Sequence, residues 1–479
     1  MLFNSFDFLL FLPIIFILYW FIFNKSLNNQ NFLVLMASYY FYGCWSLKFL
    51  GLLILSTTLD YSYGFWVAST NRRKARLFLW LSIINNLGIL VVFKYYNFFA
   101  SQFQHVFEIL GFSINTTLLN VALPIGISFY TFHGMSYVFD IYRGKQKTVK
   151  NFLDYSVFVS FFPLLVAGPI ERAHHLLPQI QKPRFFNYNQ ALEGCRLILW
   201  GMFKKVVIAD SLAGIVDPIF SNYHDQNGAA LITAAIAFSF QIYGDFSGYS
   251  DIALGTAKLF GFELLSNFKF PYFSRDLAEF WRRWHISLSS WFRDYLYIPL
   301  GGSKNGKYKA VRNTFIIFLV SGFWHGASWN FIAWGLIHAC GFLPLLLLNR
   351  NRKYVSDVVA INHKLPNLRL LWQMSSTFAF VTFAWIFFRA KGLRIAFDYI
   401  KQIGVSIIKQ PAQLFIIPDG SMAFVYIIPL LIGDWYLRRD ERVLTIFKNK
   451  ILRLTVYWLI LLLLLGLLGE KQTFIYFQF

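Results

Sequence analysis

Apolar stretches of membrane-crossing length recur along this chain, and one of them carries a titratable ring where such a stretch should have none. A helical crossing needs about 20 predominantly apolar residues. Candidate spans fall at 8–24, 31–45, 49–69, 77–98, 119–142, 153–170, 192–215, 229–255, 313–330, 331–349, 370–388, 421–437 and 452–469. Hydrophobic residues make up 57% of the 479 positions and charged residues 14%, against about 25% charged in a typical soluble domain. The pattern predicts an all-α, polytopic membrane protein of roughly 11–13 membrane segments, re-entrant helices among them. Residues 1–479 read as a single membrane domain. The first segment, Phe8 to Phe23, has no basic run ahead of it and no small-residue cleavage site behind it, so it reads as a retained helix and not a signal peptide.

The net charge of +21 fits the accumulation of Lys and Arg on cytoplasmic loops. No soluble basic face is visible, so nucleic-acid binding is excluded. Cys44, Cys195 and Cys340 lie in apolar runs without metal-ligand spacing, and neither a metal site nor a disulfide framework is expected. Placing the cluster Arg72, Arg73, Lys74 and Arg76 inside puts the N-terminus outside the cytoplasm and keeps Lys145, Lys147 and Lys150 inside. Segment 153–170 has basic residues at both flanks, which suggests a re-entrant hairpin broken at Pro163 and Gly168-Pro169. The run Arg438, Arg439, Arg442, Lys448, Lys450 and Arg453 belongs inside, so the C-terminus is expected outside. Arg389 and Arg394 then fall on the outer side, against the same rule.

The misplaced ring is His325, in the run between Phe315 and Leu348. An ionisable group at that depth is expected to face a protein interior or a watery cavity and marks a functional site. Burial favours the neutral imidazole, the form that accepts a proton from an alcohol. Gly322, Gly326, Ser321 and Ser328 are small and would let a substrate approach the ring; helix cross-bonding is the alternative. Trp324-His325 has a counterpart upstream in Trp284-His285. From Leu277 to Leu296 the three-four spacing of apolar residues predicts one amphipathic interfacial helix with Arg282, Arg283 and Arg293 on its polar side. Position alone leaves His285 equally open to a catalytic and a purely interfacial role. The segment 243–251, YGDFSGYSD, places two carboxylates in a span; its glycines suit packing, and Asp245 is the candidate substrate contact. His174-His175 read as solvated, and His338 as a packing residue. No nucleophile elbow, Walker-type loop or zinc helix is present in the sequence.

The block YGDFSGYSDIALGTAKLFGFELLSNFKFPYFSRDLAEFWRRWHISLSSWFRDYLYIPLGG (243–302), followed by SGFWHGASWNFIAWGLIHA, resembles the membrane-bound O-acyltransferase superfamily. The likeness extends through LPIGISFYTFHGMSYVFDIYRG (123–144) and VAGPIERAHHLLPQI (166–180). It is strongest to the bacterial branch of alginate O-acetylation, peptidoglycan O-acetylation and teichoic-acid D-alanylation membrane proteins. The resemblance implies a funnel through the inner membrane and an acyl transferase with His325 as principal catalytic residue and His285 as its partner. Acetyl-CoA is the implied donor, its phosphates meeting Arg282, Arg283, Lys304 or Lys307, with Trp324 and Asp245 at the substrate. The segment 474–479, FIYFQF, matches the Phe-x-Tyr-x-x-Phe motif of this branch, in which the residue matching Tyr476 is thought to carry the acyl group outward. A periplasmic O-acetyltransferase partner and a polysaccharide acceptor are implied. Two rival readings are an acyltransferase acting on a lipid acceptor within the membrane, and a non-catalytic transporter of acyl or polymer units.

Overall fold

The computed structural model describes residues 1–69, 71–166, 168–304, 306–355, 358–361, 363–409, 411–412, 421–439, 449–467 and 474–475. The described residues are overwhelmingly helical. Among the described residues, five helices are long and apolar enough to cross a membrane: Arg72–Ile109, Gly228–Leu259, Trp329–Leu347, Leu368–Arg389 and Lys450–Leu467. Two shorter apolar helices, Phe6–Ile22 and Phe424–Leu437, accompany them. On Lys450–Leu467, Leu462 and Leu465 stand 61% and 69% exposed. Leucines turned outward on so apolar a helix are stable only against lipid.

The chain forms two compact units, one of residues 1–194 and 253–265, the other of 195–252 and 266–479. In the first, the helices Leu47–Ser69, Arg72–Leu90 and Ile127–Tyr142 pack on one another. Their contact is cross-tied by buried Asp60, which accepts hydrogen bonds from Ser82 (3.0 Å) and Asn86 (2.8 Å). Gly134 makes room for that carboxylate, since a Cβ there would fall 1.9 Å from its oxygen. The expected hairpin at 153–170 consists of two buried short helices, Phe152–Ser160 and Phe162–Leu165, too short to cross a bilayer. His174 is exposed, as expected, whereas His175 is only half-exposed. They open the helix Ala173–Ile180, and the His175 ring nitrogen is 2.7 Å from the buried Glu171 carboxylate. The same carboxylate accepts the Leu265 N–H at 2.6 Å.

The second unit is built on pairs of glycines at helix crossings. A Cβ on Gly201 would sit 2.6 Å from the Gly248 carbonyl, and one on Gly248 2.7 Å from the Gly201 carbonyl. Gly322 and Gly335 form the matching pair for Lys307–His325 and Trp329–Leu347, each facing a carbonyl of the other helix at 2.3 Å. Such clearances admit glycine only, and they let the two backbones close-pack without side chains between them.

Candidate functional site

Two local devices aim the histidines. The expected continuous helix over 277–296 is broken at Trp284-His285 into Leu277–Arg283 and Ile286–Phe292. His285 adopts the left-handed conformation, with φ 44° and ψ 54°. This costs a non-glycine residue on the order of 1 kcal/mol and persists only when the surroundings impose it. The surroundings do so here: Lys269 N–H donates to the Arg283 carbonyl (3.0 Å) and Ile286 N–H to the Asn267 carbonyl (2.9 Å), while Ser287 donates to the Asn267 side chain (2.6 Å). His285 is thus a clamped corner between helices and not a position on a helical face. Outside the spanning helices, burial pushes its imidazole down to about 3, so the ring is neutral at physiological pH.

His325 is the last residue of Lys307–His325, and the chain then turns extended at Gly326 before Ser328 starts the next helix. The break comes directly after the histidine, earlier than the boundary expected near residue 330, because Gly326 is extended. Asn330 ties the new helix to the end of Leu368–Arg389 by donating to the Phe387 (3.1 Å) and Ala390 (2.9 Å) carbonyls. That tie brings Phe388 to 5.3 Å from the His325 ring. Gly322 and Gly326 do not keep space for a substrate, contrary to expectation. Their missing Cβ positions are filled by the Phe331 carbonyl and ring.

The structure brings His285 and His325 together, with ring centroids 6.4 Å apart. Trp324 lies 4.9 Å from His325 and 6.1 Å from His285. Trp334 contacts His325 at 5.3 Å, and Phe246 meets His285 edge-on at 4.6 Å. Both imidazoles are almost fully buried. Both sit in a cage of aromatic rings. One turn beyond Trp334, His338 is fully buried and accepts from the Trp281 indole at 3.4 Å, which suits a packing role.

The remaining described candidates are engaged by other protein groups. Arg283 is bound to buried Glu279 (2.9 Å) and to the Lys269 carbonyl (3.1 Å). Arg282 spends donors on the Asn351 (2.9 Å) and Tyr354 (3.3 Å) carbonyls. Asp245 is ion-paired with Lys205 at 2.7 Å and accepts the Ile475 N–H at 2.6 Å. Tyr476 lies outside the described residues, as do Arg442 and Lys448. Sequence reasoning missed the lysines that answer the two carboxylates of 243–251: Lys204 pairs with Asp251 at 2.9 Å, and Lys205 with both Asp245 and Asp210 (2.8 Å). Their signal was visible, since Phe203-Lys204-Lys205 interrupts an apolar helix. Here the helix winds as a π-turn, Phe203–Asp210, a local widening frequent at functional sites.

The described residues thus form a helical, lipid-facing protein with two histidines buried side by side. Residues 35–357 match the model of the membrane-bound O-acyltransferase family. The chain is 40% identical over 400 residues to the probable alginate O-acetylase AlgI of Pseudomonas syringae pv. tomato, covering 83% of this chain and 74% of the relative. It is 35% identical over 421 residues to the peptidoglycan O-acetyltransferase of Helicobacter pylori, covering 82% and 77%. A teichoic acid D-alanyltransferase of Streptococcus thermophilus matches at 32% over 234 residues, 46% of this chain and 56% of that one. This protein belongs to the membrane-bound O-acyltransferase family.

Proposed function

We propose that the protein takes an acetyl group from cytoplasmic acetyl-CoA and passes it across the bacterial inner membrane for O-acetylation of an extracytoplasmic polysaccharide such as alginate or peptidoglycan. The observation that carries this reading is the caged pair His285–His325, 6.4 Å apart, in a chain so similar to polysaccharide O-acetylases. His325 is the general base. It takes the proton of an attacking hydroxyl as that oxygen bonds to the thioester carbonyl carbon. The tetrahedral intermediate then expels the coenzyme thiolate, which recovers the proton. Neutral His285 stabilises the oxyanion, and Trp324 packs along the acyl group. Arg282 and Arg283 are the candidate contacts for the coenzyme phosphates, and Arg283 would make such a contact in exchange for part of its pairing with Glu279.

The first acceptor is the Tyr476 phenol in the 474–479 motif. A phenol of pKa about 10 leaves more readily than a sugar alcohol, so a tyrosyl ester stays activated for onward transfer. A periplasmic O-acetyltransferase then hands the acetyl group to the polysaccharide. Both termini lie on the extracytoplasmic side in this arrangement. Complementation of a deletion strain tests the reading: Tyr476→Phe should insert and fold normally yet fail to support polysaccharide acetylation in cells. Normal acetylation by that variant would remove the relay.

A further inference from the structure

Phe474 and Ile475 are buried, 0% and 3% exposed. The Phe474 ring packs 4.3 Å from Tyr249 and 6.3 Å from Phe246. Ile475 N–H donates to one Asp245 oxygen at 2.6 Å. The other Asp245 oxygen is 2.7 Å from the Lys205 ammonium, which is itself 2.8 Å from Asp210. A carboxylate buried in a spanning helix is costly unless it is paired and hydrogen-bonded. Lys205 offsets that cost and fixes the carboxylate's orientation, leaving the second oxygen turned to the tail. A backbone N–H on an ionised acceptor is among the stronger hydrogen bonds available. Phe246 also meets His285 at 4.6 Å, so the ring bordering the tail socket borders the histidine pair as well.

We infer that Asp245, held by Lys205 and Asp210, and the Tyr249–Phe246 socket form an internal docking site for residues 474–475, and that Asp245 is a positioning residue for the acyl acceptor at 476. Docking fixes Ile475, the residue immediately before Tyr476 in the chain, and the proposed relay would use that anchor. The positioning role rests on the proposed Tyr476 relay, whereas the docking site does not. This gives Asp245 a different duty from the substrate contact expected of it. Its two oxygens are taken by protein groups.

The experiment uses the full-length protein in detergent micelles and follows hydrogen exchange of the peptide 470–479 alongside its acetylation by labelled acetyl-CoA. Losing a hydrogen bond to a charged group is worth about tenfold or more in an opening equilibrium. Asp245→Ala should therefore raise tail exchange by at least about tenfold and lower tail labelling by a similar factor, with KM for acetyl-CoA unchanged. Asp245→Asn keeps an acceptor and should restore most of both. Ile475→Pro removes the donor and Phe474→Ala empties the socket; both leave the buried charges intact, so they carry the test if Asp245→Ala fails to fold. Unchanged tail exchange in Ile475→Pro and Phe474→Ala overturns the docking site. Labelling lost without any change in exchange overturns the positioning role. A protected wild-type tail that carries no label upholds docking and defeats the relay reading alone.

Discussion

The two units of this protein surround their histidines differently. In the first unit His133 accepts the Glu171 N–H at 3.1 Å, and His175 pairs with the Glu171 carboxylate at 2.7 Å. Glu171 in turn accepts the Leu265 N–H. Those imidazoles belong to a polar cross-tie that joins distant segments. In the second unit His285 and His325 are surrounded by Phe246, Trp324, Trp334 and Phe388. On the proposed reading, the contrast separates a histidine that fastens a fold from one that meets a reactant. A polar cross-tie fixes where the proton sits; an aromatic cage sets the ring's position while excluding water around it.

That contrast is easiest to break at His325. His325→Ala should lower acyl transfer by about 10²–10⁴-fold, the usual contribution of a general base, while thermal melting in detergent stays close to wild type. A variant that melts far lower would move His325 to the fastening class. Glu171→Ala should do the reverse. It leaves buried donors unsatisfied and should cost about 1–3 kcal/mol of stability, seen as a lower melting temperature with transfer per folded molecule retained. The third test concerns pH. His285 stands at about 3 in the folded chain and about 6.5 unfolded. As pH falls below about 6.5 the unfolded state binds this proton first, so stability drops by about 1.4 kcal/mol per pH unit until the folded ring also titrates. His285→Asn removes that contribution, so its melting temperature should fall less steeply than wild type between pH 6.5 and 5. Parallel slopes would show that the ring is not held neutral by burial.

Much of this site was legible in the chain itself. Trp284-His285 and Trp324-His325 stand out because apolar membrane sequence rarely tolerates an imidazole, and the structure brings both rings into one cage. The corner at His285 was hidden, since the three-four periodicity runs unbroken across it and the clamp comes from Asn267 and Lys269 in another loop. Gly322 and Gly326 were visible as small residues, but their duty depends on Phe331, which only the folded helix pair reveals. The partners of Asp245 and Asp251 sit on a separate helix, and no local spacing links Lys204-Lys205 to them. The helix Leu393–Lys409 escaped the span count because it is amphipathic, with Arg394, Lys401 and Lys409 interrupting any apolar run. Arg389, awkward for the charge rule, is answered by Asp217 at 2.6 Å.

Mass spectrometry of the 470–479 peptide after a single turnover with isotopically labelled acetyl-CoA probes the base and its acceptor together. The account predicts label on Tyr476 in the wild type and none in His325→Ala. Equal labelling of the two proteins would contradict it.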